Sequence, residues 1–364
     1  MQELLSLQTS IITTVFISLI NLITPFISRN DSKIRTFVMV LVSVFFFLNV
    51  IIIDYLFLNG LENYFVIYQI YQCTISIHTE AVGLIFLSMI ALLWIIALTY
   101  TLKFIKINAI ERSNYFLFFI NLSVLCGIFI SLSANLFTMF IFYELLTICT
   151  IPLIGHKCKH SIRKNILTYI KILMIASTCL FLPAVVIIYT LIGHGDFTTG
   201  GIVADNINNY LGTFVFLMFV FGIAKAALFP FHYWLPSAMI ASYPVSALLH
   251  SVVVVKSGLF CIYKIMLYVF GLHYLQQLFS SYNWLVFLPT LTIFYSSIEA
   301  IRSKEIKTIL AFSTINQLSI AILGAFLLST RGISAAIIHM ISHSFTKMSL
   351  FYSMGNIYSV RYTK

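Results

Sequence analysis

The sequence predicts an all-α fold, a polytopic membrane helix bundle of about eleven transmembrane helices at roughly 20 residues each. Composition, the length of the apolar runs and the charge of the connectors carry that prediction. Of 364 residues, 60% are hydrophobic, 16% aromatic and 9% charged, with a mean hydropathy of +1.02. Water-soluble domains are about 25% charged, so a soluble globular enzyme is excluded. Windows of about 19 residues place the spans at Leu4–Phe26, Phe37–Leu56, Val82–Leu102, Tyr115–Leu132, Leu136–Ile154, Leu167–Ile192, Leu211–Phe229, Val245–Phe270, Trp284–Ile301, Thr308–Leu328 and Ile333–Ile357. Continuous apolar runs of this length exclude a β-barrel, whose strands alternate over only about 10 residues.

Charge gives the topology. The net charge is +10, and the basic residues stand in short clusters between apolar runs, which points to a membrane and not to nucleic acid. Fifteen Lys and Arg residues, from Arg29 to Lys364, fall in one alternate set of connectors; the opposite set holds only Arg331. That asymmetry predicts a multi-pass protein of the cell inner (plasma) membrane, with the N-terminus outside and the C-terminus cytoplasmic. The first span has no basic flank or small-residue cleavage site, so no signal peptide is expected. Six cysteines (Cys73, Cys126, Cys149, Cys158, Cys179 and Cys261) form no CxxC pair. Without clustered cysteines or a Gly-rich nucleotide loop, no cofactor is expected: neither flavin, nicotinamide, iron–sulfur cluster nor zinc ribbon.

Five basic residues stay inside the spans: Lys171, Lys225, Lys256, Lys264 and Lys347. A charge at the bilayer centre costs at least about 2.5–3.5 kcal/mol, so such residues pair or line a wet path. Lys171 and Lys264 lie near span ends, where their stems are expected to snorkel to the interface. Lys225 lies well inside its span, and Pro230 is expected to break that helix by removing a backbone donor. His250 precedes Lys256 by six residues, so both can face one cavity although they do not share a helix face closely. His339, His343 and Lys347 recur every four residues, which stacks them along about 12 Å of one helix face. Hydrogen-bonded core histidines, a metal pair and a chain of titratable groups for protons are the available readings. The metal reading lacks the glutamate of HExxH, with Met340 in its place. Glu144 sits centrally in its span and can pair with a buried lysine. Pairing and desolvation shift such a couple in opposite directions, so alternation between the two states loads and releases a proton.

The motifs resemble a family. Phe137-Thr-Met-Phe-Ile-Phe-Tyr-Glu-Leu-Leu-Thr147 resembles the fifth-helix glutamate motif of the antiporter-like proton-pumping subunits found in respiratory complex I and in Mrp-type cation/proton antiporters. Lys225-Ala-Ala-Leu-Phe-Pro-Phe-His-Tyr-Trp-Leu-Pro-Ser-Ala-Met239 is similar to the seventh-helix lysine and the loop after it, and the stretch from Tyr243 to Gly258 to the eighth helix. The segments Glu305–Gln317 and His339–Phe351 resemble the tenth and eleventh. The resemblance covers roughly Asn114 to Ile357 and is loose in the first three spans.

It implies an antiporter-like inverted-repeat fold with three parts: N-terminal helices in 1–110, a first five-helix repeat in 111–270 and an incomplete second repeat in 283–358. The family's twelfth, lysine-bearing helix has no counterpart in this sequence. Carried over by position, Glu144 and Lys225 look like an acid and base pair, Lys256 like a midplane base and His250 like a relay group. Lys307, His339, His343 and Lys347 continue the polar axis. The implied function is proton translocation as a non-catalytic subunit of a Mrp-type antiporter, closest in wording to its D subunit. The alternatives are the pumping subunit of an NADH:quinone oxidoreductase or membrane hydrogenase, and an inactive scaffold. The implied partners are other membrane subunits, the lipid bilayer, and protons with Na+ or K+. Glu80 stands where relatives usually carry aspartate.

Overall fold

A computed structural model describes residues 2–27, 32–70, 73–156, 163–203, 207–280 and 283–362. Arg29, Lys157, Cys158, Lys159 and Lys364 lie outside them. Two long helices, α1 (Gln2–Ile27) and α2 (Ser32–Leu58), pack on each other and precede a hairpin of β1 (Tyr64–Ile70) and β2 (Cys73–His78). Helices α3 (Ala81–Ile107), α4 (Ser113–Leu132) and α5 (Leu136–Ile154) follow. The next span, Arg163–Ile192, is α6 (Arg163–Ala176), a π turn at Ser177–Phe181 and α7 (Leu182–Ile192). Then come α8 (Asn209–Gly222), a 3-10 turn at Ala224–Ala226, the short α9 (Trp234–Ser237) and the span Tyr243–Phe270. That span consists of α10 (Tyr243–Ala247), a π turn at Leu248–Val252, α11 (Val254–Lys264) and a second π turn at Ile265–Phe270. The chain closes with α12 (Leu272–Leu278), α13 (Phe287–Arg302), α14 (Ile306–Phe326) and α15 (Thr330–Tyr362).

Each span read from the sequence has a helical counterpart. Among the described residues nine helices are long and apolar enough to cross a membrane. The seventh span, read as Leu211–Phe229, stops being helical at Gly222 after 14 residues. The last helix has ample length, at 33 residues, but its histidines, serines and lysine make it too polar to qualify by apolar length alone. Both exceptions lie where the charged motifs are. The β-hairpin is also an addition to the all-helical expectation. Asn135 holds it on the end of α5: its side-chain amide donates to Thr74 O, Thr74 Oγ1 and Ser76 Oγ at 2.8–2.9 Å, while its Oδ1 caps the helix by accepting from Thr138 N at 2.7 Å.

The span Tyr243–Phe270 is the centre of the bundle, buried over the whole of its apolar window, whereas the outer span Trp284–Arg302 is only 22% buried. Segment α11 touches α4, α5, α14, α15 and the 3-10 turn that carries Lys225. Lipid tails are as apolar as leucine, so helices in a membrane are held by close fit and polar contacts more than by exclusion of water. Gly258 provides that fit at the centre: a Cβ there would lie 2.4 Å from the backbone nitrogen of Ala226. Gly258→Ala therefore forces α11 away from the Lys225 turn. We expect a loss of about 1–3 kcal/mol from overpacking, read as a lower unfolding midpoint of the purified protein. An unchanged midpoint would show that the two backbones do not meet.

Candidate functional site

The break that positions Lys225 begins upstream of the proline expected to cause it. Helix α8 ends at Gly222, whose added Cβ would strike the backbone of Phe181 at 2.4 Å. Ile223 then leaves helical geometry (φ −82°, ψ 58°), and Ala227 is left-handed at φ 56°. Pro230 lies in the exposed turn eight residues after Gly222. The backbone is broken near the lysine as expected: α8 ends at Gly222, the turn at Ala224–Ala226 follows, and Pro230 lies beyond it. Trp234 locks the turn by donating from Nε1 to Ala224 O at 2.8 Å.

Lys225 is fully buried, and its partner is not Glu144. Its ammonium donates to the backbone carbonyl of Tyr143 and sits 3.2 Å from the centroid of the Tyr143 ring. The Tyr143 hydroxyl in turn accepts from Lys225 N at 3.1 Å. Glu144 is the next residue on α5, turned about 100° around the helix. Both its carboxylate oxygens are buried and have no hydrogen-bond partner, and among the described residues no ion pair joins it to Lys225. Acid and base are neighbours held apart.

His250 lies within the π turn at Leu248–Val252, and the non-helical Val253 (φ −123°) stands between it and Lys256, so the two side chains do not follow one regular helix. Both are completely buried. Lys256 Nζ lies 2.6 Å from His343 Nδ1, so one proton serves both atoms: the ammonium donates to the imidazole, or the imidazole N–H to the amine. His250 Nδ1 meets Thr314 Oγ1 at 3.1 Å, and its ring lies 5.0 Å from that of Phe351. The stripe on α15 stands as a stack. The His339 and His343 rings are parallel within 2° at 6.3 Å, and Lys347 donates to Leu310 O at 3.1 Å and Ser313 Oγ at 2.9 Å. Lys307 reaches back to Ala241 O at 2.6 Å and Met239 O at 3.2 Å. Among the described residues, Nε2 of His250, His339 and His343 is buried in each case without a hydrogen-bond partner.

Thus Lys256, His343 and His339 form one cluster, His250 and Lys347 flank it through contacts with α14, and Lys225 with Glu144 stands apart across α11. A cavity of ≈ 250 Å³ reaches His339, His343 and Lys347 between α14 and α15, lined also by Ser313, Gln317 and Thr346.

Lys264 departs from its expected place at the interface. It is fully buried, donates to Ser133 O, and forms an ion pair with the buried Glu80 at 2.6 Å. The pair ties the end of α11 to the start of α3, and nothing in the spacing of two residues 184 positions apart announces it. Lys171 is exposed on α6, in keeping with a snorkelling side chain. Beside the hairpin, outside the spans, burial holds the His78 imidazole below its ordinary value, so at neutral pH it adds no charge near Glu80. Sequence reasoning also missed Tyr143, whose role depends on a break in a helix 82 residues away.

The sequence and the fold have counterparts among known proteins. A family described as NADH:quinone oxidoreductase/Mrp antiporter, transmembrane, matches residues 133–364. NAD(P)H-quinone oxidoreductase subunit 5 of the Phaseolus vulgaris chloroplast is 31% identical over 233 residues, covering 62% of this chain and 30% of that protein. The Staphylococcus aureus (strain JH9) protein mnhA2, named as a candidate antiporter subunit, is 28% identical over 299 residues, covering 77% of this chain and 36% of its own length. The chain thus spans about a third of the length of these relatives. Among solved structures, the Mrp complex of Dietzia sp. DQ12-45-1b contains a chain that superposes with a TM-score of 0.79 at 19% identity, over 95% of this chain and 37% of that one. A chain of the archaeal membrane-bound sulfane sulfur reductase superposes equally well, with a TM-score of 0.79 at 21% identity, over 93% and 55% respectively. The neighbours share the fold, and the matched family model takes in most of the buried basic motifs. The chain therefore belongs to the NADH:quinone oxidoreductase/Mrp antiporter transmembrane family and is an antiporter-like, multi-pass membrane subunit.

Proposed function

We propose that this chain carries protons across the membrane as one subunit of a Mrp-type cation/proton antiporter. The observation that carries the reading is the Lys256–His343 contact of 2.6 Å in the centre of the bundle, with further unpartnered imidazole nitrogens on either side. Buried polar groups are nearly always satisfied by protein or by water. The ≈ 250 Å³ cavity has room for several waters at about 30 Å³ each, so a proton has somewhere to come from.

The residues then divide the work. Lys225 is held by the Tyr143 carbonyl in one state and by the Glu144 carboxylate in another. Moving toward the acid favours its protonated form, and moving away releases the proton. Lys256 and His343 pass one proton between two nitrogens, His250 and His339 extend the relay, and Lys347 and Lys307 continue it along α14 and α15. Pro230 follows the broken turn that lets Lys225 change partners. The proposed arrangement is helices 1–3 in 1–110, a first repeat in 111–270 and residues of a second repeat in 283–358. The proposed setting is the cell inner (plasma) membrane, N-terminus outside, with other membrane subunits as partners and Na+ or K+ as the exchanged cation. The D-subunit wording of the Leu248–Lys256 stretch supports one place in such a complex, and the named relative mnhA2 supports another. The likeness to a chloroplast quinone oxidoreductase subunit favours a second reading, a pump driven by redox chemistry in neighbouring subunits.

The test is a pH gradient in inverted vesicles containing the whole complex. Lys225→Ala and Glu144→Ala are each expected to abolish its formation while the complex still assembles. Undiminished transport in both variants would reject the assignment. Co-purification of redox subunits separates the second reading from the first.

A further inference from the structure

At the end of the bundle where α2 begins and α3 ends lies a cavity of ≈ 600 Å³ that the proton path does not use. Lys33, Arg35, Lys103 and Lys106 line it, and among the described residues no carboxylate does. Lys103 and Lys106 are exposed. Arg35 is anchored, donating from its guanidinium to Asn114 Oδ1 at 2.5 Å, while its Nε–H is buried without an acceptor. The floor is apolar, made by Phe37, Val40, Leu102 and Ile105.

A second cavity of ≈ 370 Å³ shares Phe37 and Val40 with the first and continues along α2 past Leu41, Val44 and Phe45 to Leu48. At 1.5 Å per residue the groove from Phe37 to Leu48 runs about 16 Å, close to one leaflet of a hydrocarbon core about 30 Å thick. Its walls are open: Phe37 is 67% exposed and Phe45 56%.

We propose that these joined cavities bind an anionic phospholipid, with the phosphate among the four basic side chains and an acyl chain along α2. Charge complementarity selects the headgroup, because cationic pockets at helix ends attract acidic lipids. The attached groove selects a lipid over a free phosphate, which has nothing to place beside Leu41, Val44 and Phe45. The site joins α2, α3 and, through Arg35, α4, so an occupant fixes the outlying N-terminal pair of helices, only 33% and 28% buried, against the bundle.

The purified full chain in neutral detergent is titrated with dioleoylphosphatidylglycerol, dioleoylphosphatidylcholine or inorganic phosphate, and bound lipid is read by native mass spectrometry. Phosphatidylglycerol should be retained where phosphatidylcholine is washed off, and millimolar phosphate should not displace it. Lys103→Gln with Lys106→Gln should weaken retention by roughly thirtyfold, about fivefold for each exposed lysine. Val44→Trp fills the groove without changing charge and should also release the lipid; circular dichroism checks that both variants stay folded. Equal retention of the two lipids, unchanged binding in the double-glutamine variant, or wild-type retention in Val44→Trp would each overturn the proposal. Displacement by phosphate would reduce the site to a small-anion pocket and overturn it as well.

Discussion

In a complex carrying Lys256→Ala, proton translocation falls by about a hundredfold or more, the usual loss when a positioned proton carrier is removed. The variant removes the one side chain that contacts His343 across the centre of the bundle, at 2.6 Å. It leaves an imidazole with both ring nitrogens buried and unpartnered. The cost to folding is smaller than the cost to transport, because alanine, while losing the His343 bond, also takes an amine out of a site with no exposure at all. Acridine-dye quenching in inverted vesicles reads the loss, and antibody detection of the assembled complex controls for it. Wild-type quenching in Lys256→Ala would mean that the central pair carries no protons.

The largest expected effect on stability lies elsewhere. Glu80→Ala strands the Lys264 ammonium, which is fully buried and paired at 2.6 Å with a carboxylate only 5% exposed. Removing one partner of a buried ion pair costs about 3–5 kcal/mol, whereas replacing both by apolar groups of similar volume is often neutral. Glu80→Ala should therefore lower the unfolding midpoint sharply, and Glu80→Leu with Lys264→Met should recover most of it. A mild effect of the single change would show that water reaches the pair. Failure of the double variant to recover would give the charges a task beyond holding α11 to α3.

The architecture was legible because a bilayer writes span length and loop charge into the sequence. The apolar runs placed most of the helices within a few residues. What periodicity could not show was where a helix stops being helical inside the membrane. The helix ends at Gly222, eight residues before the nearest proline, and the π turn at Leu248–Val252 has no proline within it to mark it. The hairpin Tyr64–His78 was hidden by its shortness and its apolar composition. Within the site, the four-residue spacing of His339, His343 and Lys347 made a shared face readable. The identity of partners was not, because Lys225 with Tyr143, Lys256 with His343 and Lys264 with Glu80 are pairings between helices distant in sequence.

Charge alone and exchange of a proton can be separated at one residue. Lys256→Arg keeps the positive charge, but a guanidinium with a pKa above about 12 does not release its proton in a protein; Lys256→Met keeps the length and removes the charge. Proton flux is measured in vesicles holding equal amounts of assembled complex with each variant. Loss of flux in both variants is the predicted result, since the lysine must give up the proton it takes. Flux at the wild-type rate with arginine in place would contradict it, leaving Lys256 a fixed charge and the buried basic cluster a scaffold.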